Sequence, residues 1–295
     1  GSQVSLSDDA PYTVRDLVSL LGFSRGVITG LVNAGYVRPA RGRRNEFRFT
    51  FADVVLLRTA FELRAARIPA RRLMHALRQL ASQLPPELPQ RGLRITAVGN
   101  EVDIGIDFHG AISPQTAGIL IKALEPYSPL FYEEIVQCQN VEVMADLARK
   151  THIPIAAGER LYTKWDFRKL LEAGAASILQ PDLSHAGGIF EGRIIAGMAE
   201  AYSAAMAPHC PLGPVSLAAC LQLDATIPNF LAQEQVHLGE GYLRTPFVMQ
   251  DGYLPLPTAP GLGIELDDEA VAAQIGEPRR HPGLFDPADG SAIDH

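Results

Sequence analysis

Residues 102–110, VDIGIDFHG, end a short apolar run on Asp107, and the same pattern returns in PLFYEE (129–134) and PIAAGE (154–159), which close on Glu133 and Glu159. It continues through SILQPD, AAMAPH and NFLAQE to Asp182, His209 and Glu234. Six polar residues therefore recur at steps of 26, 26, 23, 27 and 25. A parallel strand of about five residues, a return helix of about twelve and two short loops add up to roughly that length, so the beat is one βα unit. The segments between fit the helix role: Ser113 to Tyr127, Asn140 to Thr151, Thr163 to Gly174, Ile189 to Tyr202 and Leu217 to Pro228 read as amphipathic or buried helices. Each polar residue then stands at the C-terminal end of a strand. In a (β/α)8 barrel those ends meet at one mouth, which predicts that groups far apart in sequence share a site.

The donor chemistry narrows what such a site holds. Asp107, Glu133 and Glu159 are oxygen ligands with no cysteine among them, which suits a hard cation, Mg²⁺ before others. Any one of these residues is as well explained as a helix cap or a loop start. Six in register, with His109 and Arg160 beside two of them, favour a shared site. His152 and His185 fall outside the register and read as structural or loop residues. Gly187 and Gly188 read as a tight strand-to-helix turn, not a phosphate cradle.

On DFHG, PLFYEE, HIPIAAGERLYTKWDF, SILQPDLSHAGGI, APHCPLGP and PGLGIE, the chain from about Gly99 onward resembles the sugar-acid dehydratases of the mandelate racemase group in the enolase superfamily, closest to the galactonate dehydratases. The resemblance implies a Mg²⁺-dependent reaction. A base removes the proton alpha to the substrate carboxylate, the metal stabilises the enediolate, and the neighbouring hydroxyl leaves as water. Carried over by motif, Asp107, Glu133 and Glu159 are the metal ligands. His209 is the base, oriented and polarised by Asp182, because a carboxylate partner fixes the imidazole tautomer and stabilises its protonated form. His109 protonates the leaving hydroxyl, and Glu234 contacts the substrate carboxylate or the enediolate. Two departures stand out: Ala111 follows His109-Gly110 where the family has arginine, and Ile135 follows Glu133-Glu134 where it has proline. The register also reaches back only to the family's third strand, so the first two strands and the N-terminal lid have no counterpart. The expectation is an α/β chain with a partial (β/α)8-type barrel of about six units, its activity impaired by truncation.

The preceding residues are a different kind of sequence. Residues 1–94 carry 15 Arg, no Lys and 7 acidic residues, a net of +8; the remainder carries 11 basic and 26 acidic residues, a net of −15. Such asymmetry suggests two units with different partners. Thr13 with Asp16 reads as a capping box for a helix from Val14 to Leu21, ended by Gly22. Ser24 caps a second helix, Arg25 to Ala34, ended by Gly35. Tyr36 to Arg38 and Glu46 to Phe49 flank a turn as a two-stranded wing. Thr50 with Asp53 opens a helix from Phe51 to Ala66, and Pro69 starts another to about Gln83.

Over residues 12–84 this order resembles the MerR-type winged helix-turn-helix. The resemblance implies a mainly α domain that meets double-stranded DNA. Arg25, Thr29 and Asn33 would face the groove, and Arg41, Arg43 and Arg44 on the wing would face the backbone. The sequence thus divides into residues 1–84, a junction at 85–100 rich in proline, a truncated barrel at 101–276 and an irregular tail at 277–295.

No apolar run approaches twenty residues, and Cys138, Cys210 and Cys220 lack ligand spacing, which fits free thiols in a reducing cytoplasm and no membrane partner. Three functions stay open: a Mg²⁺-dependent dehydratase of a galactonate-like sugar acid, a MerR-type DNA-binding regulator, and a fusion with neither activity. A homo-oligomer is equally open.

Overall fold

A computed structural model describes residues 12–21, 24–33, 35, 37–42, 46–50, 53, 54, 57, 96–98, 101–103, 105–276, 284–285 and 292–293. Contacts divide the chain into two compact units, one of Gly1–Phe108, Lys122–Glu133 and Met249–Pro255, the other of His109–Ile121, Glu134–Val248 and Leu256–His295.

In the first unit, β1 (Tyr12–Thr13) leads into α1 (Val14–Leu21) and then α2 (Arg25–Asn33). The start of α1 follows from a reciprocal cap. Asp16 Oδ2 accepts from the Thr13 backbone N–H and hydroxyl, both at 2.7 Å, while the Asp16 N–H donates to Thr13 Oγ1 at 3.3 Å. These bonds satisfy donors that a helix start would otherwise leave unpaired. Ser24 Oγ accepts from the Val27 N–H at 3.3 Å at the start of α2. The Thr50–Asp53 pair repeats the first cap at 2.8, 2.9 and 3.1 Å, opening the helical positions at Asp53, Val54 and Leu57. Leu17, Ile28, Leu31, Val37, Phe49, Val54 and Leu57 are buried.

The wing strands differ from the expected ones. β2 is Ala40–Arg41, not Tyr36 to Arg38, and it pairs antiparallel with β3 (Phe47–Phe49). Pro39 explains the shift: proline has no N–H for a ladder, so pairing begins after it. β1 adds a third strand that the sequence reading missed, giving the order β1-β3-β2 with Tyr12 opposite Phe49. The remainder of the expected helix to Ala66 and the one from Pro69 to Gln83 lie outside the described residues.

The expected junction contains part of an antiparallel hairpin, β4 (Thr96–Val98) with β5 (Glu101–Asp103), and β6 (Gly105–Asp107) follows directly. β6 pairs in parallel with β7 (Phe131–Glu133), Asp107 opposite Glu133. Tyr132 is fully buried, its ring edge-on to Phe108 with centroids 5.9 Å apart.

The second unit alternates helices and parallel strands. It contains most of α3 (Pro114–Leu124), then α4 (Val141–Ala148), β8 (Ile155–Ala157), α5 (Lys164–Ala173), β9 (Ile178–Leu179), α6 (Gly188–Ala201), β10 (Ala205–Met206) and α7 (Pro214–Asp224). β8, β9 and β10 pair in parallel in that order. Glu134, just past β7, donates its N–H to Ala156 of β8 at 3.0 Å. Gly187 and Gly188 adopt φ of 94° and 77° at the start of α6, the left-handed turn expected of the pair. α7 begins at Pro214, three residues before the expected Leu217, because proline's missing N–H costs nothing at the first helical position. Phe167, Leu170, Met144 and Ile195 are fully buried along the helix faces.

Two further expectations are corrected. The sixth strand, NFLAQE, reduces to a single bridge between Met206 and Phe230, bounded by Met206 N–H to Asn229 O and Leu231 N–H to Met206 O, each 2.8 Å. Pro208 cannot donate to a longer ladder, and the Gln233 side-chain amide bonds its carbonyl at 3.0 Å instead. The tail is not wholly irregular: after α8 (Asp268–Ala273), β11 (Leu284–Phe285) and β12 (Ala292–Ile293) pair antiparallel.

Candidate active site

Asp182 follows β9 and His209 follows β10, and the two side chains meet: His209 Nδ1 lies 2.9 Å from Asp182 Oδ2. Asp182 is fully buried, and its other oxygen accepts the Ser184 N–H at 2.8 Å. With Nδ1 bonded to a carboxylate, the remaining nitrogen, Nε2, is the one available for proton transfer. It lies 3.3 Å from Glu159 Oε2 and 3.8 Å from Glu234 Oε2. Glu234 is held in turn by the Cys210 N–H, which donates to Oε2 at 2.9 Å. Three of the carboxylates picked out by the beat therefore gather around the imidazole of a fourth member, His209.

Their electrostatics are mutually consistent. Burial disfavours charge on His209, yet the bond to Asp182 and the charges of Glu234 and Glu159 outweigh it and leave the pKa above the ordinary value. Burial also pushes Asp182 up, but the bonds from His209 and Ser184 prevail and hold its carboxyl below the usual range.

Glu159 is set by a close approach of strands. Gly158 has φ 153°, and a Cβ there would lie 2.7 Å from the Gln180 carbonyl carbon and 2.8 Å from its nitrogen. Only glycine permits that approach. Arg160 pairs through Nη1 with Glu159 Oε1 at 2.9 Å and also with Glu134, whose side chain is 1% exposed. Glu134 is the residue the sequence reading passed over. Its signal was the doubled acid of PLFYEE, since a second carboxylate directly after a strand-end carboxylate needs a cationic partner when buried.

Asp107 and Glu133 are buried side by side in register on β6 and β7, so their side chains leave the same face of the sheet. His109 sits at φ 51°, followed by Gly110 at φ 63°, whose N–H donates to Glu134 O at 2.8 Å. His109 is half-buried. Among the described residues, no three His, Cys, Asp or Glu side chains are drawn into a metal-holding cluster. The donor set itself, acidic oxygens on buried strand ends, is of the hard-cation kind. His185 lies 3.9 Å from Asp182 Oδ2 and packs edge-on to Tyr162, with nearly half its side chain exposed.

In the first unit, Arg25, Asn33 and Arg41 are exposed, and Arg41 stacks 3.9 Å over Phe47. Thr29 donates its hydroxyl to Arg25 O at 2.8 Å, so that donor is engaged within its own helix. Arg43 and Arg44 lie outside the described residues.

The enolase C-terminal domain-like family model matches residues 94–270, more than half of the chain. The chain belongs to the enolase C-terminal domain-like family. Within it, the chain is 49% identical to the D-galactonate dehydratase of Ralstonia nicotianae over 212 residues, covering 67% of this chain and 55% of that protein. The D-galactonate dehydratase of Ralstonia pickettii gives 49% over 210 residues, with 68% and 55% covered. This enolase-family chain thus spans about half the length of the curated relatives it matches. Among solved structures, the mandelate racemase/muconate lactonizing enzyme of Jannaschia sp. aligns with a TM-score of 0.59 at 40% identity, over 62% of this chain and 48% of that one. An enolase of Agrobacterium radiobacter, solved with sodium and L-malate bound, aligns with a TM-score of 0.57 at 35% identity, over 65% and 53%. Sugar-acid dehydratase ancestry follows for residues 94–270.

Proposed function

We propose that the enolase-family part of this chain is built for proton abstraction alpha to a carboxylate and loss of water from a galactonate-like sugar acid. The buried Asp182–His209 dyad, with Nε2 facing Glu159 and Glu234, carries this reading. His209 Nε2 takes the C2 proton: the C–H bond breaks, an N–H bond forms, and the electron pair moves toward the substrate carboxylate. Asp182 holds Nδ1–H, so the tautomer presented to substrate is the basic one, and it stabilises the imidazolium that results. His109 delivers a proton to the departing hydroxyl, which leaves C3 as water. Glu234, steadied by the Cys210 N–H, contacts the substrate carboxylate.

Asp107, Glu133 and Glu159 would hold Mg²⁺, which supplies positive charge where negative charge develops on the substrate carboxylate. An imidazole alone is too weak a base for this proton. The L-malate in the Agrobacterium enolase, a small 2-hydroxy acid, is chemically akin to the proposed substrate class.

The test separates proton transfer from dehydration. The full chain is incubated with D-galactonate and Mg²⁺ in D2O, and C2 deuteration and 2-keto product are followed by NMR. Deuteration or product in the parent chain that vanishes in His209→Asn supports the reading. Neither signal in a folded, Mg²⁺-supplied chain refutes it for this chain.

A second reading is favoured by one feature of the first unit, an open cleft of about 740 Å³ lined by Thr13, Val14, Arg15, Val18, Arg25, Arg41, Glu46 and Phe47. Three guanidinium groups around one cleft suit phosphate oxygens, as a MerR-like DNA-binding regulator requires. Salt-sensitive binding of duplex DNA, weakened in Arg25→Ala and Arg41→Ala, is the expected result. Binding unaffected by either substitution counts against this surface.

A further inference from the structure

Glu134 is among the most deeply buried charged residues described, at 0% exposure, and its backbone is held in an uncommon conformation, φ 40°. Two backbone bonds fix that geometry: its N–H donates to Ala156 O at 3.0 Å and its carbonyl accepts the Gly110 N–H at 2.8 Å. A residue other than glycine at positive φ persists only where its surroundings over-determine it. The side chain so placed pairs with Arg160, and the same guanidinium nitrogen reaches Glu159 Oε1 at 2.9 Å. The Arg160 backbone is tied as well, since Gln139 Nε2 donates to its carbonyl at 3.3 Å.

The asymmetry at Glu159 is informative. Its Oε1 faces Arg160 and its Oε2 faces His209 Nε2 at 3.3 Å. A glutamate carboxylate, carried on three side-chain torsions, is otherwise free to exchange its oxygens and swing. Here one oxygen is assigned to a cation that is itself anchored on a buried acid. Arginine suits the task because its planar fork presents several donors in fixed directions, whereas an ammonium is a point charge.

We propose that Arg160 is a positioning residue that clamps Glu159 with Oε2 turned toward His209, and that Glu134 is its buried anchor. The proposal rests on the functional reading above, in which Glu159 is a cation ligand. Arg160 itself touches neither substrate nor reacting atoms in this role. Its effect passes through Glu159, as hydrogen-bonded partners of metal ligands generally act.

The experiment measures Mn²⁺ affinity of the full chain by EPR, using Mn²⁺ alone as the probe, with circular dichroism to verify folding. The set is the parent chain, Arg160→Lys, Arg160→Gln, Glu134→Gln/Arg160→Gln and Glu159→Ala. Arg160→Gln is expected to weaken Mn²⁺ binding by about 10- to 100-fold. Arg160→Lys is expected to weaken it as well, with metal-free unfolding unchanged, because it keeps the charge and loses the fork. The double variant, which leaves no uncompensated buried Glu134, is expected to stay weak. Parent-like affinity in Arg160→Lys, or recovery in the double variant, overturns the clamp: the first reduces Arg160 to a charge, the second to a counter-ion of Glu134. Parent-like affinity in Glu159→Ala instead removes Glu159 as a ligand, which overturns the functional reading and the clamp with it.

Discussion

Asp224 sits in the last turn of α7 at 9% exposure, and among the described residues neither of its carboxylate oxygens has a hydrogen-bond partner. Burial, with a smaller contribution from Cys210, pushes its pKa from 3.8 up to about 8. A negative charge at a helix C-terminus also opposes the helix dipole, which acts in the same direction. The unfolded chain releases this proton near pH 4, while the folded chain keeps it to about pH 8. The folded state therefore binds more protons across that interval, and stability falls as pH rises through it. The contribution is fully present below the unfolded pKa and lost by the folded one. Each pH unit is worth roughly 1.4 kcal/mol, so by pH 7 the upper bound is about 4 kcal/mol. Asp224→Asn keeps size and polarity but cannot ionise. It should match the parent chain near pH 4 and exceed it by up to about 4 kcal/mol at pH 7. The assay is urea unfolding followed by circular dichroism at unit pH steps from 4 to 8. The parent midpoint should fall relative to the variant's with each step. Parallel curves for the two proteins would show that Asp224 is ionised in the native state, and the argument from its burial would be wrong.

Gly158→Ala forces a Cβ to within 2.7 Å of the Gln180 backbone, so it should destabilise the second unit by about 2 to 4 kcal/mol in thermal unfolding, and a parent-like Tm would refute the close approach. Thr13→Ala deletes one half of the reciprocal cap on α1 and should cost about 1 kcal/mol in denaturant titration, with Thr13→Ser restoring most of it. The Cys138 thiol is fully buried and pushed up to about 11, so its reaction with a disulfide reagent at pH 8 should track global unfolding; prompt native-state labelling located at Cys138 by mass spectrometry refutes that.

What could be read in advance depended on whether the signal was local. The caps at Thr13–Asp16 and Thr50–Asp53 are four-residue patterns whose bonds stay within those residues, and each was legible. The beat from Asp107 to Glu234 was equally plain, because parallel strands and their return helices repeat at a fixed chain length. Of the two sequence departures noted beside the site, Ile135, standing where proline is usual, is fully buried, and nothing in the structure explains Ala111. The failures came from long-range pairing. The wing strand moved past Pro39, and the strand at NFLAQE shrank to one bridge, because ladder length depends on the partner's free N–H groups and not on the strand's own apolar run. The Glu134–Arg160 pair joins residues 26 positions apart, one step of the same beat and each directly after a strand-end acid, and the doubled acid of PLFYEE was its hint.

The short ladder beside β10 also bears on how this chain meets other chains. A sheet that stops with a row of unmatched N–H and C=O groups offers a template on which an extended segment of another molecule can add. Pro208 removes a donor from that row, and the Gln233 amide occupies its acceptor. Phe230 pairs with Met206 through the single backbone bridge that remains. At this margin the chain is therefore a poor seed for strand addition. The proline that cuts the ladder short beside His209 doubles as a guard against aggregation.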